Sequence, residues 1–160
     1  MIEVRALNLR EELQASAFIE LLQHYAQSPS GGGKALEEAV VQPLPGRLAD
    51  WPGFVGFMAW SGDLAVGLIN CFTGFSTFRA SPLLNVHDLV VREGSRRTGV
   101  ANALFAAVEN VARQRGCCKL TLEVLSGNTA AKMTYANLGF YPYELDPAMG
   151  AAIFMEKLLS

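Results

Sequence analysis

The sequence predicts an α/β fold built on a mixed, mostly antiparallel central sheet of about six to seven strands with flanking helices. Three observations carry this expectation. Strand-like alternation passes at once into a helical stripe at the start of the chain. Two apolar runs joined by Ser61-Gly62-Asp63 read as a β-hairpin. A strand, helix, strand succession from Leu84 to Leu125 implies one parallel pair with a right-handed crossover.

Ile2 to Leu7 alternates apolar and polar residues as a strand does, and Glu11 to Ala26 places Leu13, Ala17, Leu21 and Tyr25 on one helical stripe. Ser28 to Gly33 is a breaker cluster, followed by a short helical stretch at Lys34 to Val41 and a polar, proline-rich passage to Pro52 that reads as a loosely wound connection. Phe54 to Trp60 and Leu64 to Phe72 form the hairpin, and Leu84 to Val91 is the next strand. Gly99 to Arg115 is the clearest helix, with Val100, Leu104, Val108 and Val111 inward and Asn102, Glu109 and Arg113 outward; Gly116 stands where a helix stop belongs. Lys119 to Leu125 alternates as a strand, Thr129 to Leu138 is a shorter helix ending at Gly139, and Tyr141 to Leu145 and Ala151 to Leu158 supply two last strands joined through Asp146-Pro147.

At 160 residues, 51% hydrophobic and 18% charged, the chain has the composition of one globular domain, expected to span 1–160. Thirteen Lys and Arg against fifteen Asp and Glu create no overall field for nucleic acid or anionic lipid, so neither is an expected partner and any anion site must be local. The first residues lack a secretory pattern and no stretch is apolar for long enough to span a bilayer, which reads as a cytoplasmic protein. Cys71, Cys117 and Cys118 with His24 and His87 form neither a disulfide framework nor a zinc-ligand pattern, so reduced thiols and no metal are expected.

Between the strand ending at Val91 and the helix near Gly99 lies Arg92-Glu93-Gly94-Ser95-Arg96-Arg97-Thr98. A helix N-terminus here offers unpaired N–H groups and the positive end of its dipole, Gly99 permits close approach, and two arginines add charge: a combination that suits a phosphate. The loop alone fits a solvated, arginine-rich turn equally well. It is not a G-x-G-x-x-G fingerprint, and Gly31-Gly32-Gly33-Lys34 lacks the earlier glycine and the Ser/Thr of a P-loop, which disfavours nucleoside triphosphate hydrolysis.

Order and spacing add what the loop lacks. Arg96-Arg97-Thr98-Gly99-Val100-Ala101 fits a (Q/R)-x-x-G-x-(G/A) signature, and downstream Asn128, Ala131, Tyr135 and Gly139-Phe140 fit a second pattern. With both motifs in this order the chain resembles the GNAT acyltransferase superfamily over Leu83 to Leu158, and more loosely elsewhere. Many members have Pro where Glu93 stands and Gly where Ala101 stands.

The resemblance implies an N-acetyltransferase that uses acetyl-CoA as acyl donor and a primary amine of a small molecule or protein as acceptor. It implies that Arg96, Arg97, Thr98, Gly99, Val100, Ala101 and Asn102 hold the pyrophosphate, and that the backbone of Leu89, Val90 and Val91 pairs with the pantetheine arm as an added strand. Asn128 would touch the pantetheine, and Tyr135 would reach the sulfur, two turns along one helix face, and protonate the departing thiolate. The amine must lose a proton to a base or a water relay. His87 falls where related diamine acetyltransferases place a catalytic Glu, and Asp88 follows it; strict alternation turns only one of the two into a site unless a bulge intervenes. A structural histidine accounts for His87 as well, and Asp88 reads equally as a network partner. Glu123 is a third candidate base that also fits a solvated position, and His24 and Tyr25 fit either the border of an acceptor pocket or the surface. Glu37, Glu38 and Asp50 would attract a cationic amine or form a solvated acidic face. The rivals are a non-catalytic acyl-CoA-binding module and an acyltransferase with a different acyl group. In many relatives the last strands pair across a homodimer, which Tyr141 to Leu158 would allow here.

Overall fold

Five strands, β1 (Ile2–Ala6), β2 (Phe54–Ser61), β3 (Leu64–Ser76), β4 (Ser81–Val91) and β5 (Leu120–Leu122), lie side by side in sequence order in a computed structural model that describes residues 1–159. β1 to β4 are antiparallel and β5 joins β4 in parallel, pairing Leu84 with Leu120 and Val86 with Leu122. The sheet is therefore mixed and mostly antiparallel, as the sequence implies. It belongs to the first of two compact units, Met1–Leu122; the second is Glu123–Ser160.

The sheet carries a helix on each face. Helix α1 (Glu12–Ala26) buries Phe18 and Leu21 completely, in one cluster with Met58, Trp60, Leu68 and Val90. Ala17, Leu21 and Tyr25 of the predicted stripe pack in this cluster, whereas Leu13 is 67% exposed and Phe18, which the stripe omitted, is buried. Helix α4 (Val100–Gln114) buries Val100, Leu104, Phe105, Val108 and Ala112, so Ala112 rather than Val111 closes its inner face. A Cβ at Gly67 of β3 would stand 2.5 Å from Val100 Cγ1 and 3.1 Å from Leu104 Cδ1, so only glycine lets α4 settle this close to the strand.

The short helix expected at Lys34 to Val41 forms over its second half as α2 (Glu38–Val41), and the proline-rich passage after it, expected to be loosely wound, contains a further helix, α3 (Leu44–Ala49). Pro43 and Pro45 read as breakers in sequence, but they stand at the N-cap and in the first turn of α3, where a missing N–H costs nothing. Leu44, Leu48 and Ala49 then pack on the α1 core. Among the described residues no helix is long and apolar enough to cross a membrane.

In the second unit, helix α5 (Thr129–Asn137) forms as predicted. The strands predicted at Tyr141 to Leu145 and Ala151 to Leu158 do not. The turn between them exists, a 3₁₀ turn at Pro147–Met149 capped by Asp146 Oδ1 accepting the Ala148 N–H at 3.0 Å. One backbone bond, from Ala152 N–H to Tyr143 O at 3.4 Å, crosses the pair. Pro142 removes a donor, and an isolated two-stranded ribbon is marginal in water, so the ladder does not propagate. The Lys119 to Leu125 strand is likewise cut to its first half, β5.

Candidate functional site

The β4-to-α4 connection holds an unusual backbone. A 3₁₀ turn at Glu93–Ser95 leads to Arg97 with φ of 62° and Gly99 with φ of 88°. Arg97 pays for its left-handed conformation without glycine's freedom, a cost of about 1–3 kcal/mol that persists only where the surroundings dictate it. No atom lies within 4 Å of a Cβ built at Gly99, so its φ rather than crowding requires glycine. Gly99 caps α4 with no side chain, no acidic residue sits in the first turn, and the first intrahelical bond is Ala103 N–H to Gly99 O at 3.0 Å. The N–H groups of Val100, Ala101 and Asn102 thus open toward the loop. Arg96 and Arg97 are exposed and make no ion pair among the described residues. Arg92 is engaged instead, donating to Ala65 O at 2.6 Å and to Glu20 at 2.5 Å, which anchors the loop's start to β3 and α1. A diphosphate fits this cradle in charge and in donors.

β5 accompanies β4 only from Leu84 to Val86; from His87 to Val91, β4 has a strand partner on its β3 side alone among the described residues. Leu89, Val90 and Val91 therefore keep one row of backbone groups outside any ladder, as pairing with an extended ligand arm requires.

A β-bulge resolves the question of His87 and Asp88. Asn70 pairs with Asp88 and Cys71 with Val86, so His87 has no residue opposite it. Asn70 and Phe72 alternate onto the α1 face of β3, and both histidine and aspartate meet that face. Asp88 Oδ2 accepts from Asn70 Nδ2 at 3.0 Å, and the His87 ring meets the Phe72 ring edge-on, centroids 5.0 Å apart at 82°. Asn70 Oδ1 is buried without a hydrogen-bond partner, but turning the amide over would aim that oxygen at the Asp88 carboxylate.

His87 is also oriented within its strand. Its Nδ1 lies 2.9 Å from Asn85 Oδ1, and Asn85 Nδ2 donates to Thr121 Oγ1 at 3.0 Å. An amide oxygen only accepts, so in the neutral ring an Nδ1–H donating to it leaves the lone pair at Nε2, the arrangement a base requires. The sequence reading missed Asn85; its signal was the i, i+2 spacing to His87, which puts both on one strand face. A hollow of about 400 Å³ opens beside His87, lined by Leu44, Arg47, Leu48, Trp51, Phe72 and His87. His24 and Tyr25 are not among its lining residues. Asp50, proposed from sequence to attract an amine, is ion-paired with Arg10.

In the second unit, Asn128 is the N-cap of α5, its Oδ1 accepting the Ala131 N–H at 3.1 Å, and Tyr135 packs its ring edge-on against Phe140 at 6.0 Å. Gly139 with φ of 90° reverses the chain, and Phe140 N–H closes on Tyr135 O at 2.9 Å, so the second motif is a capped helix with a defined end. Glu123 is exposed.

No cluster of ligating side chains suited to a metal occurs among the described residues. Cys71 has no nucleophilic role at neutral pH: burial, reinforced by the Asp88 charge, pushes its thiol up to about 12. The same two causes raise Tyr25. At pH 8 about one Cys71 in 10⁴ is then thiolate. Iodoacetamide on the folded protein at that pH is expected to label Cys117 and Cys118 and to spare Cys71 until denaturant is added. Peptide mass mapping reads this directly, and labelling of all three at similar rates would contradict the burial of Cys71.

Comparison with known proteins matches residues 16–140 to the acetyltransferase (GNAT) family. Thialysine N-epsilon-acetyltransferase of Caenorhabditis elegans is 31% identical over 107 residues, 61% of this chain and 64% of that protein. Streptothricin acetyltransferase of Streptomyces lavendulae is 32% identical over 121 residues, 76% of this chain and 59% of that protein. The matches thus span about three fifths of each curated relative's length. Among solved structures, AAC(6')-Iy in complex with the bisubstrate analog CoA-S-monomethyl-acetylneamine superposes with a TM-score of 0.79 at 18% identity, covering 99% of both chains, which shows a shared fold.

Proposed function

This chain belongs to the GNAT acetyltransferase family, and on that premise we propose that it transfers the acetyl group of acetyl-CoA to a primary amine of a small molecule or protein by direct attack, as one domain over 1–160. Its three free thiols suit the reducing cytoplasm, where we place it. The reading is carried above all by the uncapped start of α4, with unpaired Arg96 and Arg97, following a strand whose edge lacks a β5 partner from His87 to Val91.

Acetyl-CoA, when bound, supplies the acyl group already activated as a thioester. Its pyrophosphate is received by Arg96, Arg97 and the N–H groups of Thr98, Gly99, Val100, Ala101 and Asn102, and the backbone of Leu89, Val90 and Val91 holds its extended arm. The motif assigns Asn128 to that arm as well. His87 takes a proton from the incoming ammonium at Nε2, freeing the nitrogen lone pair to form the C–N bond as the C–S bond breaks; the new amide nitrogen then gives its second proton, and His87 the one it took, to solvent. Tyr135 gives its hydroxyl proton to the departing thiolate and recovers one from solvent. Asp88, fixed by Asn70, is a charge partner beside the imidazole rather than a second base.

Release of free thiol from acetyl-CoA, followed with a panel of amines, tests the reading. At least one amine is expected to raise the rate well above hydrolysis. Binding of acetyl-CoA with no acceleration by any amine would favour the non-catalytic module instead.

A further inference from the structure

The hollow beside His87 carries a chemical signature of its own. Its walls are Leu44, Leu48, Trp51 and Phe72, and its one permanently charged lining residue is a cation, Arg47. Leu44 and Leu48 are anchored on the α1 core, so those walls are fixed. Phe72 is held between Phe54, 5.7 Å away, and His87. Trp51, at 63% exposure, presents an aromatic face that no described contact uses. No carboxylate lines the hollow. Asp50, beside Trp51, is ion-paired with Arg10, and Asp88, held by Asn70, keeps its charge next to His87 but outside the lining. Arg47 makes no ion pair among the described residues.

Such a lining disfavours an acceptor with several positive charges, which would face Arg47 and find no carboxylate among the lining residues. It favours an apolar ring between Trp51 and Phe72, with an anion on the guanidinium, which grips carboxylates in bidentate fashion. A volume of about 400 Å³ lies near the small end of ligand sites, roughly 300–1,000 Å³. We propose that this hollow is the acceptor pocket and that it selects a small aromatic monoamine bearing a carboxylate, its amine toward His87 and its carboxylate on Arg47. The proposal rests on the transferase reading for the amine's fate, though not for its binding.

The test combines thiol release with tryptophan fluorescence titration of the full chain, using L-phenylalanine, phenethylamine and spermidine as probes and Trp51→Phe to identify the reporting residue. Phenylalanine is expected to perturb the Trp51 signal and to have a kcat/KM at least about tenfold above spermidine, a difference of about 1.4 kcal/mol. Arg47→Gln is expected to lower kcat/KM for phenylalanine, mainly through KM, about tenfold more than for phenethylamine, with Arg47→Lys recovering part of the loss. A preference for spermidine, or an Arg47→Gln effect equal for both aromatic amines, would overturn the proposal while leaving acetyl transfer intact. Phenylalanine binding that depends on Arg47 without any thiol release would support the pocket and overturn the transferase reading.

Discussion

Phe105→Ala is expected to lower the unfolding free energy of the Met1–Leu122 unit by about 3–5 kcal/mol. The ring is fully buried on the inner face of α4, with Leu104 and Val108 beside it, also at zero exposure. Truncation removes the transfer free energy of a phenyl group and leaves a void that close-packed neighbours fill only in part. The close approach of α4 to Gly67 leaves no slack for the helix to slide inward, which puts the cost toward the upper end of that range. Urea unfolding would show a fall in midpoint at constant slope. Phe105→Leu should lose much less, since most of the volume remains. A loss below about 1 kcal/mol for the alanine variant would mean that α4 is not seated as described. Affinity for acetyl-CoA should fall in parallel, because the cradle for its phosphates is the start of this helix.

Tyr135→Phe is expected to lower kcat by about 10²-fold while leaving acetyl-CoA affinity nearly unchanged. The substitution deletes only the hydroxyl and keeps the ring that packs against Phe140, so the helix end is preserved. A thiolate leaves more readily when a proton reaches it in the same step, and a phenol with a reference pKa of roughly 10 is matched to a thiol of roughly 8.5. The diagnostic is the split between parameters. A unit-wide structural loss would raise the acetyl-CoA dissociation constant, whereas loss of a proton donor acts on turnover alone. Unchanged kcat would remove Tyr135 from the chemistry and assign that proton to water.

Much of this architecture was legible in sequence because it follows periodicity. The stripe Val100, Leu104, Val108 announced α4, the Ser61-Gly62-Asp63 turn announced the hairpin, and β4, α4 and β5 in succession announced the parallel pair. What escaped was set by tertiary pairing. Pro43 and Pro45 look alike whether they break a helix or begin one, and only the packing of Leu44 and Leu48 decides. The apolar residues of Ala151 to Leu158 carry strand propensity, but propensity without a neighbouring ladder does not make a strand. At the site, the loop and both motifs were readable from residue types, whereas the bulge was not. Nothing in Asn85-Val86-His87-Asp88 marks which residue the opposite strand will skip.

That skipped residue has a further consequence. Val86 opposite Cys71 and Asp88 opposite Asn70 already show the phase that an uninterrupted ladder would have, with Leu84 and Val86 turned to α4 and Asp88 and Val90 to α1. Removing position 87 would let the two halves of β4 join with every packed side chain on its present face. His87 is therefore supernumerary to the framework: an insertion the sheet absorbs at a single point, by which this scaffold acquires an imidazole without giving up a core position.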